Sequence, residues 1–180
     1  MSVPRTITAW ILLAGSLALA GCGAGTAYVR GVSPLNVNDN NESAPVNLRF
    51  YQLANDDQFL RATFESLWLD DAKALGGDLV AKPVVTTVFP GSAGDAPVKV
   101  PLGKLKAKTA FIGVMALYRK ADARQPRILV IPAERIDRRI ILLSGYGLAL
   151  DGEESALVEP QPEKPSSPAR STTPIGKAGK

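Results

Sequence analysis

The sequence predicts a mainly β protein, folded as a β-sandwich. Several short segments either alternate apolar with polar residues or are apolar throughout, which is typical of strands. Residues that favour turns, chiefly Gly, Pro, Asn and Asp, separate these segments. One stretch alone shows the three-to-four-residue apolar spacing of a helix, so the pattern favours packed sheets with one added helix.

The first residues carry the pattern of a secretory signal peptide. Arg5 supplies a positive charge, an apolar run covers 7–19, and the small residues GCGAG follow. The alternative is a transmembrane helix, which needs about 20 apolar residues and is therefore longer than this run. The sequence predicts a cleaved signal peptide over 1–21.

Cys22 is the single cysteine of the chain, and the residues LAGC that end with it resemble the lipobox of bacterial lipoproteins. The resemblance implies cleavage before Cys22, a diacylglyceryl group on its sulfur and an acyl chain on its nitrogen, with no other cofactor. A single fatty chain binds a membrane only marginally, at about 0.8 kcal/mol per buried CH₂, so several chains give a stable anchor. In lipoproteins of enteric bacteria, Asp directly after the lipidated cysteine favours retention in the inner membrane. This chain has Gly23 at that position, so the resemblance implies sorting to the outer membrane. The alternative is an incidental cysteine near the cleavage site.

The rest of the chain divides by composition. Residues 22–26 are predicted to be the lipidated cysteine and a tether, and 27–150 the sandwich domain. Residues 151–180 hold five prolines and no aromatic residue, which predicts a disordered Pro-rich tail. A formal net charge of +4 is close to neutral for a chain of this length and does not indicate nucleic-acid binding.

The domain segments follow in order. The polar run 35–45 predicts a loop between the first two strands. The segment 46–53 alternates like a half-buried strand, and 110–119 is apolar on both faces, so it is predicted to be central and covered on both sides. The segment 96–102 carries prolines near both ends, as an edge strand tolerates. The predicted strands are 27–34, 46–53, 81–89, 96–102, 110–119, 127–132 and 138–150.

The predicted helix begins at Asn55 or Asp56 and ends at Gly76. Its apolar stripe indicates one buried face and comprises Leu60, Phe64 and Leu67. The aromatic residues of this stretch could form a ligand box, but packing of the helix against a sheet is the simpler interpretation.

Catalytic and metal-binding groups are scarce. The chain has no histidine, the commonest general base and metal ligand. Asp70 and Asp71 are adjacent on a helix, so they point about 100° apart and indicate a solvated helix end. The sequence predicts no catalytic and no metal-binding residue. A lysine cluster is interpreted as protection of a strand edge and comprises Lys99, Lys104, Lys106 and Lys108.

The order of these segments resembles the TssJ family, the lipoprotein subunit of the type VI secretion membrane complex. The likeness covers about 27–150 and includes the strand end Tyr51-Gln52-Leu53, the helical stretch, the Pro90-Gly91 turn and Tyr118-Arg119. It implies a transthyretin-like β-sandwich of two four-stranded antiparallel sheets with one added helix, and a non-catalytic role.

The resemblance further implies a position on the periplasmic face of the outer membrane. There the protein would bind the periplasmic C-terminal region of the large IcmF-like inner-membrane subunit through the loop between its first two strands. In this chain the corresponding contact residues are Asn36, Val37, Asn38, Asp39, Asn40, Asn41 and Glu42. The family often has a Gly-Arg-Pro-like segment in this loop, where this chain has NNESAP, and often Trp where this chain has Pro126.

Two other functions remain open from the residues. The strands that are apolar on both faces could enclose a small apolar ligand between the sheets, which requires a pocket of several hundred Å³. An envelope enzyme would require a cleft with convergent carboxylates, and the sequence shows no such pattern.

Overall fold

The computed structural model describes residues 24–120, 122 and 126–151. The predicted signal peptide, Cys22 and the tail beyond 151 therefore lie outside the described residues. The strands are β1 (Ala24–Leu35), β2 (Val46–Leu53), β3 (Val84–Val88), β4 (Val98–Lys104), β5 (Phe111–Leu117), β6 (Ile128–Pro132), β7 (Ile140–Gly145) and β8 (Gly147–Leu150). The helices are α1 (Asp57–Arg61), α2 (Phe64–Leu69) and α3 (Asp71–Leu75), with 3₁₀ turns at Gly76–Asp78 and Ala133–Arg138.

The described strands form two four-stranded sheets that pack face to face, which confirms the predicted β-sandwich. The first sheet has the order β4-β1-β7-β8 and the second β3-β2-β5-β6. One detail of the prediction is wrong, because β1 and β7 are parallel while the other neighbouring pairs are antiparallel. The parallel pair is possible because the whole second sheet lies between β1 and β7 in sequence, so the connection is long.

Two predicted boundaries also change. β1 begins at Ala24, so 24–26 belongs to the sandwich and not to a tether. The segment 138–150 is a hairpin and not one strand, because it turns back at Tyr146 between β7 and β8.

The core lies between the two sheets and follows the alternation of the strands. Val29 on β1, Leu48 on β2 and Ile141 on β7 are fully buried in it. β5 is buried on both faces, as predicted: Val114 faces this core, and Met115 faces a second cluster under the helices. The second cluster comprises Tyr51, Leu53, Phe59, Leu67, Leu75 and Met115.

The predicted single helix is wrong, because three short helices replace it. The backbone becomes extended at Ala62, and the side chain of Thr63 then caps α2 by accepting a hydrogen bond from the Ser66 amide. Asp70 likewise caps α3 by accepting a hydrogen bond from the Lys73 amide at 3.1 Å. Each break resets the helical register, so Leu60 of the predicted stripe is 55% exposed while Phe59 is buried. Among the described residues, no helix is long and apolar enough to cross a membrane.

β1 runs the full height of the sandwich. Its first residue, Ala24, lies opposite Lys104 at the end of β4, and its last residue, Leu35, lies opposite Gly145 at the end of β7. We call the end that holds the start of β1 and the β4–β5 loop (105–110) the base, and the end that holds the β1–β2 loop (36–45) the top. β4 is an edge strand with exposed Lys99 and Lys104, which confirms the predicted lysine-bearing edge for these two residues, whereas Lys106 and Lys108 lie beyond the end of the strand.

Candidate functional site

The β1–β2 loop projects from the top of the sandwich, and its neck is closed by hydrogen bonds between its two arms. The Leu35 amide donates to Ser43 Oγ at 3.1 Å, and the Ala44 amide donates to the Leu35 carbonyl at 2.9 Å. The loop is therefore held in a defined conformation by hydrogen bonds at the ends of β1 and β2.

Asn36 is buried beneath the loop, with 3% of its surface exposed. Its Nδ2 donates to the Pro45 carbonyl and its Oδ1 accepts from the Arg119 amide, both at 2.8 Å. Its backbone has a φ of 47°, in the left-handed region that Asn tolerates better than most residues. The side chain of Asn36, which was predicted to contact a partner, therefore makes hydrogen bonds that hold the loop in place.

Asn38 organises the tip of the loop. Its Oδ1 accepts from the amides of Asn40 and Glu42, and its Nδ2 donates to Glu42 Oε2, each at 2.9 Å. The Asn41 amide closes the turn on the Asn38 carbonyl, and Asn41 itself has a φ of 65°. This self-bonded turn leaves four side chains exposed at the surface, namely Asp39, Asn40, Asn41 and Glu42.

An ion pair links the tip to the end of β5. Lys120 Nζ lies 3.1 Å from Asp39 Oδ1, and both side chains are mostly exposed. The hydrogen bond and charge of Lys120, with the nearby charge of Arg119, lower the pKa of Asp39. The carboxylate stays charged at neutral pH, and such an exposed pair contributes little to stability.

Two tyrosines support the loop from the β5 and β7–β8 side. Tyr146 donates its hydroxyl to the carbonyl of Val37 at 3.0 Å, and Tyr118 donates to the carbonyl of Gly147 at 2.6 Å. Their rings meet edge to face with centroids 6.4 Å apart. The loop residue Val37 is half-buried against this support, so its backbone is fixed.

Sequence reasoning did not identify Arg119, Lys120, Tyr118 or Tyr146 as parts of this site. The sequence did contain a signal for Tyr146, because a large aromatic side chain between Gly145 and Gly147 in a turn indicates that its ring or hydroxyl contacts a neighbouring segment. The contacts of Arg119 and Lys120 join residues about eighty positions apart, and no local pattern predicts them.

The other candidate groups of the sequence have structural roles. Asp70 caps α3, and Asp71 lies 3.7 Å from the guanidinium of Arg49, so the two carboxylates do not converge. Within 24–120, 122 and 126–151, no three potential metal ligands lie together. The cleft between the sheets that Phe50, Leu102 and Ile112 line has no room for a water molecule.

The comparisons with known proteins agree with this fold. The family model T6SS-SciN, described as type VI secretion lipoprotein (VasD, EvfM, TssJ), matches residues 26–146. None of the curated protein sequences compared with the chain matches it.

Three solved structures are similar. Lip of Serratia marcescens, a membrane-bound component of the type VI secretion system, is 21% identical with a TM-score of 0.60, over 69% of this chain and 94% of that one. The lipoprotein TssJ1 from Pseudomonas aeruginosa is 25% identical with a TM-score of 0.59, over 69% and 92%. A chain in the structure of the TssM C-terminal domain (869–1107) from EAEC is 24% identical with a TM-score of 0.57, over 71% and 96%.

Proposed function

Because the chain belongs to the T6SS-SciN (TssJ) family of type VI secretion lipoproteins, we propose that it is a non-catalytic adaptor of the secretion membrane complex. Acyl chains on Cys22 hold it on the periplasmic face of the outer membrane. The exposed tip of the β1–β2 loop binds the periplasmic C-terminal region of the IcmF-like inner-membrane subunit, TssM. The similar chain in a structure of the TssM C-terminal domain supports this choice of partner.

The course of β1 carries the proposal. Cys22 precedes the first residue of β1 by two positions, so the anchor enters at the base, whereas the loop leaves from Leu35 at the top. A strand of 12 residues separates them, which at about 3.3 Å per residue corresponds to roughly 36 Å. The tip is therefore held away from the membrane that holds the anchor, where a partner that crosses the periplasm can reach it.

The tip offers the chemistry of a polar contact surface. Asp39, Asn40 and Asn41 present a carboxylate and two amides to solvent, while Asn36 and Asn38 use their polar groups to shape the turn. A preshaped tip loses little conformational entropy when it binds, which favours affinity from a small surface. The Asp39–Lys120 pair gives the tip one fixed negative and one fixed positive charge. This arrangement favours a partner that places an opposite charge next to each of them.

A sharp test removes the exposed side chains and leaves the fold intact. In a pull-down with the periplasmic C-terminal region of TssM, the mature chain carrying Asp39→Ala, Asn40→Ala and Asn41→Gly should lose at least about tenfold in affinity. Gly at position 41 keeps the left-handed backbone. Replacing the whole loop would be less informative, because Asn36 and Asn38 hold the fold.

The matched control changes exposed acidic residues at the base. Glu134→Ala with Asp137→Ala removes two side chains that are 79% and 62% exposed. This variant should bind TssM like the unaltered chain. Unchanged binding by the tip variant would overturn the assignment of the loop.

The anchor is tested separately. Cys22→Ser should yield a chain that folds but leaves the outer-membrane fraction, because Cys22 precedes the first residue of β1 in sequence. A variant that remains in the outer membrane, or a native protein whose mass shows a free thiol or a retained signal peptide, would refute lipid anchoring at this residue.

The alternative of an apolar-ligand carrier has less support. It requires a pocket of several hundred Å³ between the sheets. The cleft lined by Phe50, Leu102 and Ile112 provides no such volume.

A further inference from the structure

A group of lysines lies beside the point where the chain enters the fold. Lys104 faces Ala24 across the β1–β4 ladder, and Lys106 and Lys108 follow in the β4–β5 loop. Two steps of the chain separate Ala24 from Cys22, so their Cα atoms are at most about 7 Å apart. If Cys22 is lipidated, as the proposed function requires, these lysines sit at the membrane surface.

The loop that carries the lysines is fixed in place. Gln52, 7% exposed, accepts hydrogen bonds at Oε1 from the Lys106 amide and from Thr109 Oγ1, both at 3.0 Å. Leu105 packs over Gly25, where an added Cβ would lie 2.8 Å from its Cδ2. The loop is thus held directly against the start of β1, and the lysines point outward from a rigid support.

Protection of the strand edge explains only part of this cluster. Lys99 and Lys104 lie on β4 and discourage pairing with another strand. Lys106 and Lys108 lie beyond the end of β4, where there is no edge to protect. Their position requires another explanation.

The charges of these lysines are not neutralised within the described part of the chain. Lys104, Lys106 and Lys108 are exposed, and none of the ion pairs among the described residues includes them. By contrast, the neighbouring 3₁₀ turn balances its charges locally, in the pairs Glu134–Arg135 and Asp137–Arg138. The acidic residues Asp56, Asp57 and Asp78 also lie near the base, because the first two follow the end of β2 and the Asp78 carbonyl accepts from the Ala54 amide. None of the ion pairs among the described residues joins them to these lysines.

We infer that Lys104, Lys106 and Lys108, which we call the base patch, bind the anionic headgroups of phospholipids in the membrane that holds the acyl chains. Positive charge beside the anchor is complementary to such a surface, and attraction acts within about one Debye length, near 8 Å at physiological salt. The contact fixes the tilt of the domain. β1 then stands away from the bilayer, and the loop tip faces the periplasm.

The primary test removes the acyl chains so that the patch acts alone. The mature chain carrying Cys22→Ser is mixed with vesicles of phosphatidylethanolamine and phosphatidylglycerol, or of phosphatidylethanolamine and neutral phosphatidylcholine. Sedimentation should show binding to the anionic vesicles only, and binding should weaken as salt increases. Each lysine near an anionic surface contributes roughly fivefold, so Lys104→Gln, Lys106→Gln and Lys108→Gln together should reduce binding about 100-fold.

A matched variant removes the same charge elsewhere. Arg61, Lys73 and Lys120 are exposed residues outside the patch, and their joint change to Gln should leave most of the vesicle binding intact. An equal loss of vesicle binding in both variants would contradict the assignment of the base patch and would indicate an effect of net charge. Equal binding to neutral vesicles would also overturn it, as would displacement by millimolar inorganic phosphate, which indicates a free-anion site.

A second measurement uses the lipidated protein reconstituted in the same vesicles. Acetylation of lysines, read by mass spectrometry, should be slowed at the base patch on anionic vesicles, while Lys120 at the top reacts equally on both. Equal reaction of all these lysines would overturn the inference. Neither assay involves TssM, and the first does not depend on the acylation of Cys22, so failure of the base patch leaves the proposed adaptor role to its own tests.

Discussion

Asn36 accepts a hydrogen bond from the backbone amide of Arg119 at 2.8 Å, across 83 positions of sequence. The same side chain donates to the Pro45 carbonyl at 2.8 Å. One buried amide therefore joins both arms of the β1–β2 loop to the end of β5, and the shape of the tip depends on it.

Asn36→Ala should destabilise the protein by about 2–4 kcal/mol. The change leaves the Arg119 amide and the Pro45 carbonyl without their partner, at about 1–3 kcal/mol each when buried, and strains a left-handed backbone. Urea unfolding, with the midpoint and slope compared, measures the effect. Asn40→Ala is the control, because that exposed side chain makes no hydrogen bond among the described residues, and equal stability of the two variants would refute this role of Asn36.

Gly31→Ala should destabilise the sandwich at the top of β1 by about 1–3 kcal/mol. A Cβ at this position would lie 2.5 Å from the carbonyl oxygen of Phe89, and the Gly31 carbonyl already accepts from the Gly91 amide at 3.0 Å. Backbone cannot yield as a side chain can, so β1 and the β3–β4 connection must separate. Gly94→Ala, where no atom lies within 4 Å of the added Cβ, should leave the melting temperature nearly unchanged.

The burial of the Tyr118 hydroxyl leads us to expect a loss of folding stability at alkaline pH. Burial raises the pKa of its hydroxyl well above the ordinary value of 10.0. Above about pH 10 the unfolded chain loses this proton while the folded chain keeps it, so the stabilisation that is complete below pH 10 declines as pH rises, by up to about 1.4 kcal/mol per unit.

Tyr118→Phe removes that dependence and also the hydrogen bond to the Gly147 carbonyl. We expect the variant to be about 1–2 kcal/mol less stable at pH 7. Its stability should decline less steeply between pH 10 and 11, although burial also raises the pKa of Tyr51 and part of the slope will persist. Chemical denaturation at several pH values measures both effects, and parallel curves for the two proteins would contradict the assignment.

Arg49 should hold the helices on the second sheet. Its Nη1 donates to the carbonyls of Leu67 and Trp68, each at 3.2 Å, and its guanidinium lies 4.2 Å from the centre of the Trp68 ring. Arg49→Met keeps most of the apolar stem but loses these contacts. Hydrogen exchange in 64–69 should accelerate, with a loss of about 1–3 kcal/mol, whereas Arg61→Met on the exposed side of α1 should change neither.

The sequence was sufficient to locate most of the strands, because they carry their own pattern of apolar residues. Val46–Leu53 matched its prediction at both ends, since alternation fixes which face is buried and the flanking polar runs fix the limits. β5 was predicted to be central from its apolar residues on both faces, and the second cluster around Met115 gives the reason.

The division of the helical stretch into three helices and the pairing of β1 with β7 could not be predicted from the sequence. The breaks at Ala62 and Asp70 arise where capping side chains compete with the helix, and a stripe drawn through Leu60, Phe64 and Leu67 cannot show them. The parallel pairing of Tyr28 with Ile140 joins residues more than a hundred positions apart. Of the predicted contact loop, the exposed tip remains a prediction, and Asn36 proved to be part of its support.

β1 is hydrogen-bonded to β4 on one side and to β7 on the other. An anchor at its first residue and a partner on the loop after its last residue would apply tension along the strand axis. Hydrogen bonds loaded in this direction resist in shear, so many of them share the force, whereas an edge strand that is peeled loses them one at a time. A domain built in this way would transmit a mechanical load between a membrane and its partner without first unravelling.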